Sequence, residues 1–204
     1  RSILERMANQ YKLEIDTKPP RIPYRETIMG NAEGFHRHKK QTGGAGQFGE
    51  VSLRVEPLPR GGGFEFVDAT KGGVIPHQFM PAVRKGVEQV LATGAVAGFP
   101  MQDVRVVVHD GKHHPVDSKE VAFVSAGRKA FLDAVAKARP IVLEPVVSVE
   151  VICPEANTGD IAGDLSSRRG QVTGTSGLGP GVLAVSGLAP LVELDGYSAR
   201  LKSV

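Results

Sequence analysis

Two stretches of this sequence gather residue types that could act on a ligand. Residues 35–47 read Phe-His-Arg-His-Lys-Lys-Gln-Thr-Gly-Gly-Ala-Gly-Gln, with three Lys/Arg, two His and no acid, and run into a glycine-rich turn. Lysine and arginine neutralise backbone phosphates, and glycine lets a main chain come close to a polyanion. The same composition suits a solvated strand edge with a mobile hairpin tip, and residue types alone leave both readings open. A nucleotide-cradling loop fits poorly. Thr42-Gly43-Gly44-Ala45-Gly46-Gln47 is not GxxxxGK[ST], that motif is absent from the chain, and a strand follows where GxGxxG needs a helix.

The second stretch is His109-Asp110-Gly111-Lys112-His113-His114-Pro115-Val116-Asp117, a loop between a strand and a helix. Its histidines and aspartates could suggest zinc. Adjacent histidines in a strand-like segment point opposite ways, however, and the spacing is not the i, i+4 pair of a helix-borne site. Hydrolysis lacks a nucleophile, since no serine or cysteine stands in an elbow context. The lone Cys153 precedes Pro154 on a strand and reads as core. No catalytic residue and no metal site is expected. Further on, Arg168 and Arg169 end a helix before Gly170. Favourable placement against the helix dipole explains them from spacing alone, with a phosphate contact as the functional alternative.

These stretches need elements to hold them. Val51, Leu53 and Val55 alternate with polar residues as a half-buried strand. Gly61-Gly62-Gly63 makes a turn into a strand begun by Phe64 and Phe66. Residues 76–93 read as a helix with Phe79, Val83, Val87, Val90 and Leu91 on one face, and Gly94 suits its C-terminal cap. Val104, Val106 and Val108 form another alternating strand, ended by Asp110-Gly111. A second helix is expected from Asp117, with Glu120 completing a capping box and Pro140 stopping it. A second module then shows a strand at Val147, Val149 and Val151, a helix over 158–169, strands over 171–175 and 182–186 around a Gly-Pro-Gly turn, and a helix-like segment after Pro190. The order β-α-β-β-α begins a split-βαβ plan whose fourth strand is not reached. At the start, Ile3, Leu4, Met7 and Tyr11 share a helical face, Leu13 and Ile15 suggest a short strand, and the prolines of 18–23 dictate an extended linker. Both ends look cut from something longer.

The 204 residues carry 25 Lys/Arg against 22 Asp/Glu, a net charge of +3 that is compatible with nucleic acid. With no Trp, eight Phe and three Tyr, a base-stacking single-strand binder is disfavoured. A single cysteine excludes an intrachain disulfide framework and a Cys-based zinc site. No apolar run approaches the ~18 residues of a membrane span. No targeting signal is visible, so the cytoplasm is the expected compartment.

Tyr24-Arg25-Glu26-Thr27-Ile28 and Gln41-Thr42-Gly43-Gly44-Ala45-Gly46-Gln47-Phe48-Gly49 resemble the opening of the fourth domain of elongation factor G. The likeness continues through Gly72-Gly73-Val74-Ile75-Pro76, Gly98-Phe99-Pro100, Asp110-Gly111, His114 and Val116-Asp117-Ser118. Leu143-Glu144-Pro145, Gly159-Asp160-Ile161, Gly163-Asp164-Leu165 and Arg168-Arg169-Gly170 carry it into the fifth domain. These motifs stand in family order over essentially the whole chain.

The resemblance implies an α+β chain. Residues 1–22 would be the end of a third domain with its linker. Residues 23–142 would form an α/β domain like domain 2 of ribosomal protein S5, and 143–204 a ferredoxin-like split-βαβ domain lacking its last strand. It implies a non-enzymatic, monomeric arm of a translation factor that promotes GTP-dependent tRNA–mRNA translocation by occupying the ribosomal A site. GTP and Mg2+ would belong to a domain of the parent protein, with no cofactor in this chain and no membrane partner. Expected partners are tRNA, mRNA, the small-subunit decoding region, and the large subunit at its stalk base and sarcin–ricin loop. By position, Gln41, Thr42, Gly43, Gly44 and Gly46 match a first tip loop, and Gly111, Lys112, His113, His114 and Pro115 a second. His36, Arg37, His38, Lys39 and Lys40 would add positive charge, and Arg168 and Arg169 could meet rRNA. Two departures matter: Ala45 stands where an arginine is typical, and His113-His114-Pro115 replaces Tyr-His-Asp. They keep open a paralogue acting in ribosome recycling or ribosome protection. A small-molecule kinase on an S5-like fold is the weaker alternative.

Overall fold

The computed structural model describes residues 2–12, 21–41 and 46–202. Thr42, Gly43, Gly44 and Ala45 of the first tip loop, and the strand expected at Leu13 and Ile15, lie outside the described residues. The chain opens with helix α1 (Ser2–Tyr11). Met7 and Tyr11, on the apolar stripe read from the sequence, are exposed.

The larger module contains β1 (Arg25–Ile28), β2 (Ala32–Lys40), β3 (Gln47–Pro57), β4 (Phe64–Asp68), α2 (Met80–Thr93), β5 (Val104–Lys112), α3 (Glu120–Lys137) and β6 (Pro140–Leu143). Its main sheet has the order β2-β3-β5-β4, antiparallel except for the β4–β5 pair, which α2 connects. β1 pairs separately with β6, so residues 140–143 are tied to the start of this module. Period-two alternation sends Val51, Leu53, Val55, Val104, Val106 and Val108 to one face, where they meet Val83, Val87, Phe123 and Phe131 of the two helices.

The two helices meet backbone to backbone. A Cβ on Gly127 would stand 2.7 Å from the Val83 carbonyl oxygen, and one on Gly86 would press into the Val124 carbonyl. β2 approaches α3 in the same manner at Gly34, beside Ala130 and Ala134. Asp133 then accepts a hydrogen bond from the Phe35 amide (3.1 Å), and Lys137 Nζ donates to the Glu33 carbonyl (3.3 Å).

Glu26 has no exposed surface. Its Oε2 accepts from the amides of Ala95 (2.7 Å) and Val96 (3.0 Å), and its Oε1 from those of Ala97 (2.7 Å) and Phe99 (3.0 Å). One carboxylate thereby holds the whole loop after α2. Burial pushes its pKa up, but the four backbone donors together outweigh this and leave it below its ordinary value.

The second module contains β7 (Val146–Pro154), α4 (Thr158–Ser167), β8 (Gln171–Gly179), β9 (Val182–Pro190) and α5 (Tyr197–Leu201). β9 lies centrally and antiparallel to both β7 and β8, the arrangement of a split βαβ unit. Val151, Cys153, Ile161, Leu165, Val185 and Tyr197 form its core.

Several local expectations need correction. β5 does not stop at Asp110-Gly111 but pairs with β3 through Lys112. The helix expected from residue 76 begins with a 3-10 turn at His77–Phe79, and α2 proper starts at Met80 with Pro81 in its first turn. The capping box at Asp117 and Glu120 does not form, because α3 starts only at Glu120 and Lys119 takes the cap position without a side-chain bond. α4 ends at Ser167, short of the expected Arg169, which adopts the left-handed conformation (φ 55°). The Gly170 amide instead closes back on the Leu165 carbonyl (2.9 Å).

Candidate nucleic-acid interface

The β2–β3 hairpin and the β5–α3 loop end side by side because two bonds lock them together. The Phe48 amide donates to the Asp117 carbonyl (2.9 Å), and Ser118 Oγ donates to the Phe48 carbonyl (3.0 Å) while accepting from the His114 amide (2.8 Å). The Ser118 amide in turn donates to the His114 carbonyl (3.1 Å). Near the hairpin's turn, His38 Nε2 and Gln47 Oε1 lie 3.0 Å apart across the strands. Because Ser118 Oγ has both roles filled, Ser118→Ala should cost about 1 kcal/mol and accelerate hydrogen exchange at the His114 amide. Unchanged exchange at that amide would show that Oγ is not its acceptor.

Between the two loops lies an open cleft of about 250 Å3. Lys39, Lys40 and Gln41 form one wall, and Gly46, Gln47 and Phe48 another. His114 and Asp117 close it from the second loop. Both lysines are exposed, so the cleft has flexible cations at its rim. Long side chains that carry charge on a rim suit a polyanion, whose phosphates repeat along a backbone.

The structure brings together Lys39, Lys40, Gln41, Gly46 and His114 of the residues singled out from sequence. Several of the other described residues are placed differently. His113 turns away, its Nδ1 lying 3.1 Å from the Val74 carbonyl, and so ties the second loop to the segment before α2. Lys112 is exposed at the end of β5. Arg37 Nε donates to Glu50 Oε1 (2.5 Å), so its charge is matched within the sheet. His36 is partly covered. Burial, aided by the Lys129 and His38 charges, lowers its pKa from the ordinary value despite Asp133 and so disfavours a charged ring. The positive charge at this end therefore rests on Lys39 and Lys40 more than on the full run of five. Phe48 and Ser118 are the contributors that chemistry-led reading passed over. Phe48 acts through its backbone amide and carbonyl, which residue types do not reveal, and Ser118 through its hydroxyl.

Arg168 and Arg169 are engaged within the second module. Arg169 grips Glu144 with both terminal nitrogens (2.7 and 3.0 Å) and reaches Glu193 with Nε (2.8 Å), and these contacts raise its pKa further. Arg168 donates to the Glu193 carbonyl (2.6 Å) and stacks over Tyr197 at 4.6 Å. Among the described residues, no group of three or more His, Cys, Asp or Glu is arranged to hold a metal ion. No helix among them is long and apolar enough to cross a membrane.

Comparison with known proteins gives consistent matches. The family model for elongation factor G, domain IV, covers residues 20–139, and that for the elongation factor G C-terminus covers residues 141–204. An elongation factor G-like protein of Thermotoga maritima is 45% identical over 202 residues, 99% of this chain and 30% of its own length. An elongation factor G of Aquifex pyrophilus is 46% identical over the same share of this chain and 29% of its own length. The chain thus spans about three tenths of these relatives. A crystal structure of a Thermus thermophilus protein superposes with a TM-score of 0.84 at 37% identity, covering 96% of this chain and 29% of that one.

Proposed function

The chain belongs to the elongation factor G family, and from that premise we propose that it is the ribosome-binding arm of a GTP-dependent translocation factor. The clamped pair of loops, with Lys39 and Lys40 at the cleft beside His114, is the observation that carries this reading. The arm occupies the A site of the small subunit and keeps the tRNA–mRNA duplex from slipping back. Its second module faces the large subunit near the stalk base and the sarcin–ricin loop. Its action is steric and electrostatic: the lysines meet RNA phosphates, the clamped loops fill space, and this chain makes or breaks no covalent bond. GTP and its Mg2+ are handled by another domain of a cytoplasmic parent protein. Arg168 and Arg169, already paired, hold the second module together in this scheme.

Sedimentation with programmed ribosomes tests the proposal. Lys39→Ala with Lys40→Ala should weaken association and flatten the slope of log K against log[salt] by roughly one to two, as two fewer phosphates are neutralised. An unchanged slope would exclude phosphate contact at this rim. Translocation and subunit splitting by the parent factor, measured side by side, separate a translocase from a recycling paralogue.

A further inference from the structure

The main sheet has two edge strands, β2 and β4, and they differ in what covers them. Along β2, side chains of α3 take the outward main-chain groups: Asp133 accepts from the Phe35 amide, and Lys137 donates to the Glu33 carbonyl. Along β4 the edge is open. The Val104 amide donates to the Gly63 carbonyl (3.1 Å) and the Ala69 amide to the Val108 carbonyl (2.8 Å), one bond at each end of the strand. In a parallel ladder, alternate residues turn both main-chain groups to the same neighbour. Between Gly63 and Ala69, Glu65 and Val67 therefore bond β5, and Phe64, Phe66 and Asp68 hold their N–H and C=O groups outward. Among the described residues, none of these outward groups has a partner. Unpaired groups at that spacing are what an added strand bonds.

Beside this edge lies an open cleft of about 370 Å3, walled by Phe66, His77, Met80 and Pro81, with Asp68 and Arg84 as its charged members. The two charges stand at opposite ends of the strand. Arg84 lies over the Phe64 ring, 5.8 Å from its centre, and Asp68 closes the other end. The bond from Arg84 to Glu88 (2.7 Å) is an exposed i, i+4 pair, weak enough to be shared with a second carboxylate. Asp68 Oδ1 accepts from the Thr70 amide and hydroxyl (3.0 and 2.7 Å), and no cation pairs with it among the described residues. We infer that β4 is a docking edge for an extended protein segment that runs antiparallel to it, with a basic, a large apolar and an acidic side chain at alternate positions. The basic side chain meets Asp68, the apolar one enters the cleft opposite Phe66, and the acidic one meets Arg84. Each of the three also exchanges main-chain bonds with the β4 residue facing it. A second copy of this chain fits less well, because Phe66 is packed against its own core and cannot leave it to fill a partner's cleft. Docking here is independent of the ribosome reading.

The probe is the peptide acetyl-Thr-Lys-Thr-Leu-Thr-Glu-Thr-amide, titrated into this chain and followed by amide NMR and hydrogen exchange. At saturation, exchange at the Phe64, Phe66 and Asp68 amides should slow by about fivefold or more, while the Glu65 and Val67 amides, already bonded to β5, stay as protected as before. A methyl group on the leucine nitrogen faces β4 and should weaken binding by about tenfold. The same group on the nitrogen of the threonine just before the leucine faces solvent and should leave binding unchanged. Asp68→Asn keeps the acceptor for Thr70 but removes the charge, and should weaken binding of the unmethylated peptide by about threefold. Unchanged exchange at the three outward amides overturns the docking edge. Equal affinity for the two methylated peptides overturns strand addition, and full affinity in Asp68→Asn overturns the charge pattern. Protection of the same amides that grows with chain concentration, with no peptide added, would make a second copy the occupant and overturn the peptide assignment.

Discussion

Gly34→Ala is expected to lower the stability of the larger module by about 3 kcal/mol and its melting temperature by about 10 °C. A Cβ at this position would lie 2.6 Å from the Ala134 amide nitrogen and 2.8 Å from the Ala134 Cβ, and closer still to the Ala130 carbonyl oxygen. These are atoms of a helix interior, and they cannot move aside as the end of a flexible side chain can. The strand must therefore lift from α3, which also stretches the Phe35–Asp133 and Lys137–Glu33 bonds on either side. Gly174→Ala provides the control, since a Cβ there meets nothing within 4 Å. It should change stability by less than about 0.5 kcal/mol. Equal melting temperatures for the two variants would show that β2 and α3 are not in close contact in solution.

Glu26→Ala should cost roughly 4 kcal/mol, because it removes the acceptor of four backbone amides at once. Glu26→Gln should fare only partly better. Each carboxylate oxygen receives two amides, so an isosteric carboxamide must aim its NH2 at two donors. The wild-type contribution also depends on pH. Because the folded carboxyl titrates below its ordinary value near 4.5, its stabilisation is complete above the unfolded value and is lost as pH falls through the folded one. Acid unfolding followed by circular dichroism should therefore show a step below about pH 4.5 in the wild type that is absent in Glu26→Gln. Identical acid profiles would mean that the carboxylate is not the acceptor.

The helices and central strands were legible because burial there follows a simple period. Val83, Val87, Val90 and Leu91 recur at helical spacing, while Val104, Val106 and Val108 alternate as a strand buried on one face. β1 and β6 escaped that logic. Each is four residues long, and their pairing joins Arg25 to Leu143 across nearly the whole module. Glu26 looked like an ordinary charge in a short segment, since nothing in its neighbours announces the amides of residues 95–99 that bury it. At the site, the expectation that His113 and His114 face opposite ways matches their hydrogen-bond partners. The capping box failed for a reason that spacing cannot express: His114 Nδ1 already takes the Asp117 amide that Glu120 would have accepted. The clamp at Phe48 was hidden because Phe48 enters it only with its carbonyl and amide, which every residue carries.

The contact of α2 with α3 through Gly86 and Gly127 has a mechanical consequence. Helices held apart by side chains can creep, since rotamers rearrange under a sustained push. Here main chain rests on main chain, with the Val83 and Val124 carbonyls seated against glycine, and there is little between them to compress. A thrust at the far end of the hairpin, passed along β3 into that layer, should therefore move the module as a strut, with the displacement at one end reappearing at the other instead of being absorbed along the way.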